Sequence, residues 1–122
     1  MVYLTGDLGA GKTTLVRGML RGMGHRGAVR SPTFTLVEPY TCGPLRVNHL
    51  DLYRLGDPEE LEYIGVRDYL DPGVLCLVEW PERGAGHLPP PDLSVAIAFE
   101  GSGRRLELTA ETPVGLRILD QI

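Results

Sequence analysis

The chain has 122 residues, a formal net charge of −4 and two cysteines, which fits a single domain, residues 1–122, with a real core, but not two domains. That charge supplies no global basic field for nucleic acid or an anionic membrane, so any RNA contact has to be local or made through a partner. Cys42 and Cys76 lack a C-x-x-C or His-rich setting, and no apolar run is long enough for a membrane span or secretory segment, so a reducing, cytoplasmic setting without a membrane is expected.

Taken in order, Val2 to Thr5 reads as a short buried strand. Gly6-Asp7-Leu8-Gly9-Ala10-Gly11-Lys12-Thr13 then fits G-x-x-x-x-G-K-[ST], the phosphate-binding loop. From Thr13 to Met23, Leu15, Val16, Met19, Leu20 and Met23 recur at helical spacing, with Gly24 at the C-cap. Ser31-Pro32-Thr33 is a stiff turn. Phe34 to Tyr40 and Leu45 to Tyr53 read as an antiparallel hairpin, in which Leu45, Val47, His49, Asp51 and Tyr53 share a face. That face is either a solvated edge or a site.

Asp57 reads as an N-cap, with Pro58 at the first helical position and Glu60 closing a capping box. The helix ends near Gly65, and a second short helical piece spans Val66 to Leu70. Val74 to Val78 is the longest fully apolar run and reads as a buried strand. Glu79-Trp80-Pro81 ends it, and Ala85 to Asp92 is a loop. Leu93 to Phe99 and Arg105 to Thr109 form a last hairpin across Gly101-Ser102-Gly103. Thr112-Pro113 caps a terminal helix whose apolar side is Val114, Ile118 and Leu119. The predicted fold is α/β, a P-loop NTPase of three layers with a mixed parallel and antiparallel sheet.

The loop dictates the chemistry. Its glycines turn successive N–H groups toward phosphate oxygens, and the following helix adds its positive end. Lys12, the sole lysine beside eleven arginines, would reach the β- and γ-phosphates, and the Thr13 hydroxyl would be a Mg²⁺ ligand. A second carboxylate has to face that hydroxyl. Glu79, abutting the apolar run, and Asp51, ending a more mixed one, are the two candidates. Thr33 stands where a γ-phosphate sensor or a plain turn residue would. Trp80 either stacks on a base or packs in the core. The three histidines lack ligand spacing, and Asp57 to Glu62 is a solvated helix start or a docking face. With Lys12 the only lysine, the guanine-reading Asn/Thr-Lys-x-Asp element is absent, which favours ATP over GTP.

Four blocks in order, Gly6 to Thr14, Ser31 to Val37, His49 to Leu55 and Val78 to Glu82, resemble the bacterial TsaE family, formerly called YjeE. The remaining C-terminal residues resemble it loosely. The resemblance implies a small ATPase, weak alone, that serves threonylcarbamoyladenosine formation at position 37 of tRNA. It would dock on a complex of TsaD and TsaB and meet tRNA only through it, with hydrolysis resetting the complex between turnovers. Carried over by block, Gly6, Asp7, Leu8, Gly9, Ala10 and Gly11 form the nucleotide loop, and Lys12 and Thr13 bind phosphates and Mg²⁺. Thr14 meets the α-phosphate, Glu79 completes the metal site, Asp51 acts in hydrolysis, and Thr33 lies in a switch-like segment. ATP and Mg²⁺ are the implied cofactors.

The chain departs from the family in lacking a strand and helix that ordinarily precede the loop strand. A misassigned start is the favoured expectation, and a shortened form with a more open base site is the other. Two further readings stay open: a nucleotide-dependent assembly switch with negligible turnover, and a small-molecule kinase with Arg83 as its lid arginine.

Overall fold

A computed structural model describes residues 1–122. Six strands form one sheet in the order β2-β3-β4-β1-β5-β6: β1 Val2–Thr5, β2 Val37–Cys42, β3 Leu45–Asp51, β4 Val74–Glu79, β5 Leu93–Glu100 and β6 Gly103–Ala110. The four inner strands β3, β4, β1 and β5 run parallel, and β2 and β6 join antiparallel at the two edges. The expected mixed α/β sheet is present, with β1 near its middle.

Strand alternation divides the core between the two faces. On one face Val2, Leu4, Val47, Leu77, Val95 and Ile97 meet Val16 and Leu20 of α1, Lys12–Gly22. On the other face Cys76 and Val78 pack with Leu50, Leu52, Leu55, Leu61 and Val66. That second layer is thin, built from the one-turn helix α2, Glu60–Tyr63, and a 3-10 turn at Val66–Tyr69. Leu4 and Leu77 are completely buried. Truncating either to alanine would cost about 2–5 kcal/mol.

α1 ends as its sequence requires. Gly24, at φ 97°, lets its own N–H reach the Arg21 carbonyl and the His25 N–H reach that of Leu20, a Schellman closure.

Several boundaries differ from the expected ones. β2 starts at Val37, not Phe34, because Pro32 turns the chain. The Leu36 N–H bonds the Pro32 carbonyl, Leu36 takes φ 67°, and the Phe34 ring is left 83% exposed. β3 stops at Asp51 because the Asp51 carboxylate accepts the Tyr53 N–H at 3.0 Å and turns the chain there. Tyr53 therefore leaves the shared face of Val47, His49 and Asp51. Asp57 does accept the Glu59 N–H at 2.9 Å, but Glu60 makes no return bond, so the capping box is half formed and the helix is one turn long. Pro81–Gly84, between the end of β4 and the loop, forms a 3-10 turn.

The terminal helix α3, Pro113–Leu119, is capped as expected by the Thr112 hydroxyl, which accepts the Gly115 N–H. Its docking face matches the expected one only at Leu119, which is half-buried. Gly115 is the buried residue, while Val114, Leu116 and Ile118 are exposed. The cause is close approach: a Cβ at Gly115 would lie 1.7 Å from the Asp92 carbonyl oxygen. Backbone meets backbone there, and the larger side chains turn outward.

Candidate nucleotide site

The loop between β1 and α1 lies at the carboxyl ends of the parallel strands, where α/β sheets form their crevices. Gly9 and Gly11 adopt φ of 82° and 113°, a region that side chains disfavour. The N–H groups of Gly9, Gly11, Lys12, Thr13 and Thr14 find no acceptor within the chain. They are the free donors that an anion nest at a helix start needs. Gly6 is fixed by a different constraint, since a Cβ there would lie 2.5 Å from the Ile97 carbonyl oxygen. Ala10 is buried beneath the loop, and its carbonyl accepts the Arg104 Nε–H at 2.8 Å, which ties the loop to β6. Leu8 points outward, 67% exposed.

Lys12 is only 5% exposed. Its ammonium donates to the carbonyls of Gly6 at 2.6 Å and Asp7 at 3.0 Å and lies 4.3 Å from the centroid of the Trp80 ring. Trp80 resolves neither for base nor for core alone. It packs on the cluster of Cys76 and Val78 and also lines the cavity beside the loop. It also takes φ 55°. Trp80, directly after β4, and Leu36, whose carbonyl accepts the Asp51 N–H, are the two non-glycine residues with positive φ, and such strain costs on the order of 1–3 kcal/mol.

The two candidate carboxylates separate cleanly. The Thr13 hydroxyl lies 3.0 Å from both Glu79 oxygens, and Glu79 is 2% exposed. Asp51 is the direct register partner of Glu79 across β3 and β4, but its bond goes to the Tyr53 N–H. Burial, above all, and the neighbouring Glu79 charge raise the Asp51 carboxyl above the usual aspartate range, against the Tyr53 N–H. His49 is not on a solvated edge. It is wholly buried, with Nε2 2.5 Å from Glu79 Oε2.

These groups surround a cavity of about 480 Å³. Gly9, Gly11, Lys12, Thr13 and Thr14 of the loop line it together with Asp51, Glu79 and Thr33. Ser31, Tyr53 and Arg54 also line it, and sequence reasoning gave none of these three a role. Ser31 and Thr33 share a hydrogen bond of 2.6 Å, so the turn presents two hydroxyls together. The Ser31-Pro32-Thr33 spacing was the available signal. The hydroxyl and carboxylate donors suit a hard divalent cation such as Mg²⁺ and offer no soft ligand.

A sequence family described as "Threonylcarbamoyl adenosine biosynthesis protein TsaE" matches residues 1–106. The chain belongs to the TsaE family. The TsaE protein of Haemophilus influenzae is 56% identical over 119 residues, which cover 98% of this chain and 75% of that one. The Bacillus subtilis TsaE protein is 42% identical over 117 residues, covering 96% and 72%. Both are named tRNA threonylcarbamoyladenosine biosynthesis proteins. The crystal structure of Bacillus subtilis YdiB superposes with a TM-score of 0.81 at 31% identity, covering 98% of this chain and 74% of that one. The P-loop fold inferred for TsaE is thus shared with a solved structure. No helix is long and apolar enough to cross a membrane.

Proposed function

We propose that this chain is a Mg²⁺-dependent ATPase that supports threonylcarbamoyladenosine modification of tRNA position 37, acting through a complex of TsaD and TsaB type. Family membership supports the pathway. The observation that carries the ATPase reading is the Thr13–Glu79 contact, with Lys12 and Asp51 lining the same cavity.

The free N–H groups of the loop bind the phosphates, and Lys12 leaves the Gly6 and Asp7 carbonyls for the β- and γ-phosphate oxygens. Thr14, at the start of α1, meets the α-phosphate. Thr13 and Glu79 would hold the metal, which would supply positive charge to the phosphates. Asp51 has one oxygen occupied by the Tyr53 N–H. Its other oxygen orients the attacking water and takes its proton. Thr33 senses the γ-phosphate.

Lys12 is the cation of the loop itself. Arg54 is held over the Phe34 ring at 4.6 Å, and Arg83 over Tyr53 at 5.2 Å. Arg54 lines the same cavity and is a second cation within the chain. tRNA meets the chain only through that complex.

Reconstitution tests this reading. Modification of tRNA in a mixture of the other components should be restored by the wild type and not by Lys12→Ala. Restoration by both would refute it.

A further inference from the structure

His49 stands outside the phosphate machinery yet touches one of its members. Its side chain is completely buried, and Nε2 lies 2.5 Å from Oε2 of Glu79. Its other ring nitrogen, Nδ1, has no hydrogen-bond partner. A carboxylate only accepts, so the nitrogen that faces it carries the proton. Nδ1 then keeps a bare lone pair, which is less costly to leave unpaired than a buried N–H.

Glu79 is thus held from two directions. The Thr13 hydroxyl donates from the loop side, and the His49 Nε2–H donates from within the sheet. Register explains why this needs both residue types. Glu79 pairs directly with Asp51, and Leu77 with His49, so His49 lies two positions along the neighbouring strand. An imidazole ring and the two-methylene arm of a glutamate span that diagonal together. Without the ring, Glu79 would be a buried carboxylate with a single short-range donor and freedom to rotate away from Thr13.

We infer that His49 is a positioning residue that fixes the Glu79 carboxylate toward the Thr13 hydroxyl and thereby sets the divalent-metal affinity of the nucleotide site. This rests on the reading of Glu79 as the metal carboxylate. Groups that orient metal ligands typically account for ten- to a hundredfold in affinity.

The test uses the full chain with ADP and follows Mn²⁺ binding by electron paramagnetic resonance, with ADP affinity measured separately in excess chelator. His49→Leu should raise the Mn²⁺ Kd roughly tenfold or more, leaving metal-free ADP affinity within about twofold. His49→Gln, whose amide can donate in place of Nε2–H, should recover most of the loss. An unchanged Mn²⁺ Kd in His49→Leu, beside a clear loss in Glu79→Gln, would overturn the inference alone. Unchanged Mn²⁺ affinity in Glu79→Gln would overturn both it and the reading beneath it. Should His49→Leu not fold, nitrogen NMR of the wild-type ring decides. A proton on Nε2 and a bare Nδ1 are expected, with the Nε2 resonance moving when metal joins the ADP complex. A proton on Nδ1 alone, or no movement, would overturn the inference.

Discussion

The ammonium of Lys12 lies 4.3 Å from the centroid of the Trp80 ring while donating to the carbonyls of Gly6 and Asp7. Trp80 is the only tryptophan. On the proposed function, a bound nucleotide would draw the ammonium to its phosphates and change the charge beside the indole. ADP should therefore alter Trp80 emission, and Lys12→Ala should remove this response while keeping the wild-type circular dichroism spectrum. The variant should bind ADP at least thirtyfold more weakly, from losing about 2 kcal/mol of charge-assisted hydrogen bonding. Fluorescence titration and calorimetry check the two parts.

Asp51 is a liability to the fold. Its carboxyl is raised, so between the ordinary aspartate value of about 3.9 and its folded value the native chain holds a proton that the unfolded chain has lost. Stability contributed by this group accordingly falls as pH rises through that window, and the cost is complete above it. Asp51→Asn should be more stable than wild type at pH 7 by about 1 kcal/mol, a rise of about 4 °C in Tm. The gain should vanish below the aspartate range. Thermal unfolding at several pH values measures it, and a lower Tm at pH 7 would contradict it.

The same substitution separates hydrolysis from switching. Asp51→Asn should retain ADP binding and lose partner-stimulated ATP turnover by at least about a hundredfold. If tRNA modification persisted with turnover abolished, ATP would act only as an assembly signal.

Thr13→Val keeps the side-chain shape and deletes the hydroxyl that faces both Glu79 oxygens. Metal-dependent ATP affinity should fall about tenfold or more, whereas Thr13→Ser should stay near wild type. Titration with and without Mg²⁺ distinguishes them.

Gly115→Ala places a methyl group on the Asp92 carbonyl. Neither backbone can yield without shifting α3, so the helix should undock. Faster hydrogen exchange over 113–119 and a loss of about 1–3 kcal/mol are expected, with nucleotide affinity unchanged.

The parts of the fold that sequence made legible are those with one local cause. The loop motif, the apolar run before Glu79 and the Gly24 closure each state their structure within a few residues. The two carboxylates did not, since Glu79 was distinguished from Asp51 by where Thr13 falls, sixty-six positions away. His49 was legible as a residue on the face of Asp51 but not as a partner of Glu79, because strand order decides that. Phe34 misled because it was read as the first residue of a strand, while Pro32 and Leu36 bend the chain so that β2 starts only at Val37 and the ring stays outside. The side of α3 that docks was hidden for a different reason. Helical periodicity weighs side chains, and there the contact is made by the residue that has none.

The sheet order has a consequence for how the molecule comes into being. β1 precedes the other five strands in sequence, yet Val2 pairs only with Leu77 and Leu93. The two edge hairpins close locally, whereas the strand bearing the phosphate loop must wait for partners synthesised long after it. Such distant pairings carry the largest loop-closure penalty and form slowly. The strand that carries the loop is therefore synthesised well before it can acquire its shape, and the loop is held in place only once β4 and β5 have been made.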